Sequence, residues 1–170
     1  MRTSVLSICL FASLSAVGCG TGEPVTFFES SELQVDVGPV DSDIDLSFQT
    51  TESGLRYRIL RHANGPKPTA DDRVSVHYRG WVDSGAEFDS SYKTGVPSSF
   101  GLRGVIRAWT EGVQLVNSGG MIELWVPPEL GYGAKGAGGL IGPNATLHFV
   151  VELVKIEEQE EQEPWQLPES

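Results

Sequence analysis

The stretch VHYRGWVDSGAEFDSS (76–91), followed by VIRAWTEGVQLV (105–116) and LGYGAKGAGGLIGPNATLHFVVEL (130–153), decides the reading of this chain. Aromatic and branched apolar residues stand among turn-forming glycines, and an aspartate, Asp89, follows directly on Phe88. Nucleophiles are few. Such a set suits a dry pocket better than hydrolysis or metal chemistry.

Around these motifs the dominant period is two. Leu55, Tyr57 and Ile59 alternate with Arg56 and Arg58, and Val74, Val76 and Tyr78 alternate with Ser75, His77 and Arg79. Ile122, Leu124 and Val126 share one face, as do Leu147, Phe149, Val151 and Leu153. That alternation predicts antiparallel strands with one buried face. Turns fall at Gly65-Pro66, Asp83-Ser84-Gly85, Asn117 to Gly120 and Pro127-Pro128. One segment differs, because Ile106, Trp109, Val113 and Val116 recur at three- and four-residue steps. They predict a short amphipathic helix, with Gly112 as a flaw and Gly119-Gly120 as its stop. A lone helix must lay its apolar stripe on the sheet to form one core. The expected class is α+β: a curved antiparallel sheet, a half-barrel, wrapped around one short helix.

Further outward the composition changes. Residues 20–51 hold seven Asp or Glu and no Lys or Arg, and residues 157–170 hold six Glu and no basic residue. Between them, residues 52–156 hold ten acidic and eleven basic residues, so the chain's net charge of −11 belongs to its flanks. Charged segments without hydrophobic periodicity bury too little apolar surface to offset ordering entropy. The expected organisation is a signal peptide at 1–18, an acidic flexible spacer at 19–51, a folded domain at 52–157 and an acidic tail at 158–170. Phe27, Phe28 and Leu33 leave open a short docked strand in the spacer, and Trp165 is the tail's one aromatic.

The export signal rests on Arg2, the mostly apolar or small run from Val5 to Val17, and Ala16-Val17-Gly18 before Cys19. That run is too short for an ordinary membrane span. Small residues before a cysteine resemble the lipobox of bacterial lipoproteins, which implies a diacylated Cys19; the alternative is a plain secretory signal cleaved elsewhere. Cys9 leaves with the signal, so the mature chain has no intramolecular disulfide. Gly20 points weakly to the outer membrane.

The quoted motifs resemble the FKBP-type peptidyl-prolyl isomerases, the family inhibited by rapamycin, over about residues 53–157. The resemblance implies a pocket between helix and sheet. It places Tyr78, Asp89, Ile106 and Tyr132 in catalytic positions, and Phe88, Val105, Trp109, Leu140, Ile141 and Phe149 in substrate-binding ones. Ala137, Gly142 and Ser98 depart from the family's pattern at the pocket rim. The implied partners are proline-containing polypeptides and rapamycin-type macrolides.

An Xaa-Pro bond has nearly balanced isomers, yet the barrier to rotation is ~18–20 kcal/mol because rotation breaks amide resonance. Water strengthens that resonance by hydrogen-bonding the carbonyl, so a pocket that excludes it favours the twisted amide. The expected arrangement seats the proline over Trp109 between Phe88 and Phe149. As the resemblance implies, the Ile106 N–H and Tyr132 hydroxyl orient the backbone, and Asp89, bonded to the Tyr78 hydroxyl, is expected to face the rotating carbonyl. The alternative is a binding module or chaperone of the same fold with little turnover.

No cofactor or metal is expected, since no histidine pair has a ligand spacing. Gly131 to Gly136 fits the letters G-x-G-x-x-G, but Pro127-Pro128 precedes it and Gly138-Gly139 follows, so a dinucleotide site is not expected. His62, His77 and His148 read as surface or rim residues, and Ser90, Ser91, Ser98 and Ser99 as loop residues. A near-neutral domain between acidic flanks offers nucleic acid no footprint. The expected state is a monomer, exported to the periplasmic side of the envelope and held there by lipid alone.

Overall fold

Seven strands form one open, curved antiparallel sheet: β1 (Gln49–Thr50), β2 (Arg56–Arg61), β3 (Arg73–Val82), β4 (Glu87–Ser90), β5 (Ser98–Gly101), β6 (Met121–Val126) and β7 (Leu147–Ile156). Their order is β1-β2-β6-β7-β3-β4, and β5 also pairs with β3. The computed structural model describes residues 37–158. The expected signal, Cys19 and the tail from 159 onward lie outside the described residues. Among the described residues the one α-helix, α1 (Arg107–Gly112), continues into a 3-10 turn at Val113–Leu115.

The period-two pattern maps onto the sheet as predicted. Val74, Val76 and Tyr78 of β3, Ile122, Leu124 and Val126 of β6, and Leu147, Phe149, Val151 and Leu153 of β7 share one core with Ala108, Trp109 and Val113 of the helical segment. A six-residue helix is too short to persist alone, so its packing on the sheet must hold it. Gly112 is not a flaw there: a Cβ on it would lie 2.8 and 2.9 Å from the Leu124 methyls. Its missing side chain is what lets α1 settle on β6.

The other face of the sheet departs from expectation, because it too is covered. Leu60, Trp81, Met121 and Val150 form a second buried cluster under Val37, Val40 and Ile44, residues predicted to lie in a flexible spacer. Residues 37–51 therefore belong to the fold. Polar contacts fix the segment as well: the Asp41 N–H donates to the Leu60 carbonyl at 3.0 Å, and the Asp41 carboxylate accepts the His62 N–H at 2.8 Å. Arginines of β2 reach up to its carbonyls, Arg58 to Leu46 at 3.0 Å and Arg61 to Pro39 at 3.1 Å.

That cover buries groups that the alternation assigns to solvent. Arg58 and Glu123 form a buried ion pair at 2.5 Å, and burial pushes the Glu123 carboxyl above its usual range against the pull of Arg58. His148 is also buried, contrary to its reading as a surface histidine; it lies between Trp81 and Trp125 and bonds Asp83 at 2.7 Å. Ser90 lies in β4, and Ser98 and Ser99 lie in β5, not in loops. Ser91 is buried, and its hydroxyl accepts the Tyr78 N–H at 2.8 Å.

Candidate active site

Register places the walls of the site. One rung across three strands pairs Gly80, Phe149 and Leu124, and β4 brings Asp89 opposite Gly80. A Cβ at Gly80 would meet Phe88 Cζ at 2.7 Å and Phe149 Cε1 at 2.8 Å, so glycine there is what admits both rings. Phe88 and Phe149 then meet edge to face at 5.5 Å.

Trp109 on α1 is the hub. Its ring meets Tyr78 at 5.2 Å, Phe100 at 5.5 Å and Phe149 at 5.5 Å, each near a right angle. Edge-to-face contacts add roughly 0.5–1.5 kcal/mol each beyond burial, so this cradle is held firmly. Trp109 is only 4% exposed, and its Nε1–H has no acceptor among the described residues.

Together with Val105 and Ile106, these rings enclose a cavity of about 480 Å³, with Tyr132 and Asp89 contributing its polar groups. The size falls within the range of small-ligand sites, and the apolar lining with a few convergent polar groups is typical of them. Tyr78 donates its hydroxyl to Asp89 Oδ2 at 2.5 Å, while Asp89 Oδ1 accepts the Ser90 N–H at 2.9 Å. Burial, and then the Asp89 carboxylate, push the Tyr78 hydroxyl far above the usual phenol value, so it remains a donor at neutral pH.

Ile106 stands just ahead of α1 in extended conformation, and its carbonyl accepts the Trp109 and Thr110 amides. Its own N–H has no acceptor among the described residues, which leaves it free for a ligand backbone. Tyr132 follows a 3-10 turn over Pro128–Leu130, anchored by buried Leu130, and is 40% exposed. A second 3-10 turn at Gly133–Lys135 follows, so Gly131 to Gly136 lacks the strand-to-helix geometry of a pyrophosphate cradle.

Eight of the ten predicted site residues therefore meet at one cavity: Tyr78, Phe88, Asp89, Val105, Ile106, Trp109, Tyr132 and Phe149. Leu140 and Ile141 do not. Ile141 is buried in the main core and paired with Ala137, and Leu140 is 56% exposed at the loop tip. The sequence reading missed Phe100 and Gly104, which also line the cavity. Phe100 lies two positions beyond Ser98 along β5, opposite Val74. Serines before it and a glycine after it give no apolar alternation, so the pairing of β5 with β3 is what brings it to the cavity.

Comparison with known proteins agrees with this geometry. Residues 65–154, just over half of the chain, match the family model described as FKBP-type peptidyl-prolyl cis-trans isomerase. A probable FKBP-type peptidyl-prolyl cis-trans isomerase FkpA of Neisseria meningitidis is 51% identical over 108 residues, 64% of this chain and 40% of that protein. The peptidyl-prolyl cis-trans isomerase Mip of Coxiella burnetii is 42% identical over 111 residues, 65% of this chain and 48% of that one. The chain thus spans less than half the length of these curated relatives. The crystal structure of FkpA from Escherichia coli superposes with a TM-score of 0.63 at 43% identity, covering 66% of this chain and 53% of that one. With the aromatic cradle, the Tyr78-Asp89 pair and these matches in agreement, the chain belongs to the family of FKBP-type peptidyl-prolyl cis-trans isomerases.

Proposed function

We propose that this protein catalyses cis-trans rotation of Xaa-Pro bonds in exported polypeptides, through a water-excluding pocket and without a covalent intermediate. The observation that carries this is the cavity itself: a cradle of three rings around Trp109, with the Tyr78-Asp89 pair and the Ile106 N–H as its polar groups. A proline ring fits over Trp109. The free Ile106 N–H takes a substrate carbonyl, and Tyr132 supplies a second hydroxyl contact at the open side.

Removing the amide from water withdraws the hydrogen bonds that stabilise its planar form, and the Asp89 carboxylate, held by Tyr78, biases the carbonyl as it turns. Each ~1.4 kcal/mol by which the twisted amide is favoured over the planar one accelerates rotation tenfold. No proton moves and no bond other than the partial double bond is broken. Rapamycin-type macrolides are the expected inhibitors, as membership of the family implies.

The location is part of the same proposal: export by residues 1–18, a lipid on Cys19, and a monomer at the periplasmic face of the envelope, by weak preference the outer membrane. The supports are the apolar run before Cys19 and the small residues preceding it. Intact mass of the native amino terminus tests the lipid, and an unmodified Cys19 refutes it. A protease-free exchange assay on Xaa-Pro tetrapeptides tests the activity with the full chain. Acceleration over buffer is expected. A folded protein without acceleration would leave the binding-module reading in its place.

A further inference from the structure

We propose that the chain's own Leu167-Pro168 occupies this cavity as a tethered, competing occupant. The inference rests on the proline-site reading above and extends it to a ligand carried by the protein itself.

The first support is where the fold ends. Val74 of β3 pairs with Phe100 on one side and with Ile156, the last residue of β7, on the other. The chain therefore leaves the sheet two strand spacings, roughly 10 Å, from a residue of the cavity wall. Glu157 fixes that exit beside β5: its N–H donates to the Arg73 carbonyl at 2.8 Å, and its carboxylate accepts the Ser99 hydroxyl at 2.8 Å. From Gln159 to Pro168 the chain can extend ~33 Å, more than the distance across the sheet.

The second support is the sequence of the segment. Pro164-Trp165-Gln166-Leu167-Pro168 is an uncharged run between Glu163 and Glu169. Of its two prolines, Pro168 follows an apolar residue and Pro164 follows a glutamate. The cavity carries an exposed carboxylate, Asp89, at its edge, which disfavours Glu163 beside it. Pro24, in the other flank, also follows a glutamate, and that flank enters the fold across the opposite face of the sheet.

Charge supplies the third support. Arg107, directly after Ile106, and Lys135, three residues after Tyr132, are exposed and have no carboxylate partner among the described residues. They lie on the two segments that flank the cavity. Beyond the already bonded Glu157, residues 158–163 carry four glutamates, the complement that such cations attract along the approach.

Tethering makes weak binding sufficient. A short flexible link gives an effective concentration in the ~mM range, so a segment with a ~1 mM dissociation constant holds half of the sites or more. The competing occupant then raises KM for external peptide about twofold to fivefold and leaves kcat unchanged.

The test compares the full chain with P168A and P164A. P168A is expected to lower KM for an Xaa-Pro tetrapeptide about twofold to fivefold at constant kcat, and to shift the Trp109 indole N–H resonance. P164A should do neither. Equal KM values and an unmoved Trp109 resonance in P168A overturn the proposal, as does an effect confined to P164A. A KM difference that vanishes on dilution assigns the contact to a second copy and also overturns it. If no form accelerates exchange, the isomerase reading fails, while the Trp109 resonance still decides whether the tail docks.

Discussion

Gly80→Ala tests whether the packing described here builds the pocket. The added methyl would sit 2.7 Å from Phe88 Cζ and 2.8 Å from Phe149 Cε1. Carbon atoms prefer ~3.5–4.0 Å, so each ring must retreat by about 0.7–1.3 Å. Phe149 cannot retreat freely, because it lies against Trp109 at 5.5 Å and is itself buried. Overpacking of this kind costs ~1–3 kcal/mol, against a gain of ~0.5–1 kcal/mol from replacing a strand glycine. The clash wins, with a net cost of about 1–2 kcal/mol.

Unfolding entropy is ~2.1 cal/mol/K per residue, or ~0.26 kcal/mol/K for residues 37–158, so Tm should fall by about 4–8 °C. Displaced walls should also cost about tenfold in kcat/KM, the equivalent of ~1.4 kcal/mol. Calorimetry and the exchange assay measure the two effects. Gly139→Ala is the control, since a Cβ there meets nothing within 4 Å. An unchanged Tm would refute the packing argument. A fallen Tm with wild-type kcat/KM would refute the claim that these rings shape the site.

Two further outcomes follow from the same geometry. Trp109→Ala removes the hub of the cradle and should lose at least ~tenfold more kcat/KM than Asp89→Asn, which keeps the shape and still accepts from Tyr78; equal and negligible losses would mean that the site is misassigned. Burial, reinforced by Asp89 and Glu152 respectively, raises the Tyr78 and Tyr92 hydroxyls well above the ordinary phenol value. The folded chain thus holds these protons more tightly than the unfolded one. The resulting stability is complete below ~pH 10 and is lost as pH rises beyond it. Urea midpoints should be flat from about pH 7 to 9 and fall above ~10, less steeply in Tyr92→Phe; identical slopes would count against this account.

The sheet and helix are legible because their apolar residues keep strict periods, and each period faces a single core. The cavity is legible where residue type carries the chemistry, as at Tyr78, Asp89 and Trp109. Elsewhere local pattern conflicts with tertiary packing. Val37, Val40 and Ile44 stand among aspartates without a regular step, so nothing local marks them as a docked segment. Arg58, Glu123 and His148 occupy the polar positions of their strands; the unforeseen cover encloses the Arg58-Glu123 pair, and Trp81 and Trp125 enclose His148. Leu140 and Ile141 follow each other in a glycine-rich loop, where no period tells which one turns inward. Gly112 lowers helix propensity, and only the nearness of Leu124 explains why it stands there.

The cover over the second face changes what counts as the smallest working unit. Cutting the chain at residue 52, where the composition changes, or at 65, where the family match begins, removes Val37, Val40 and Ile44. Either cut would expose Trp81, Met121 and Val150 to water and strip the backbone carbonyls from Arg58 and Arg61. Such a fragment would present a sticky sheet surface opposite the pocket and invite self-association. For this protein, recombinant fragments meant for assay or crystallisation should begin no later than Val37.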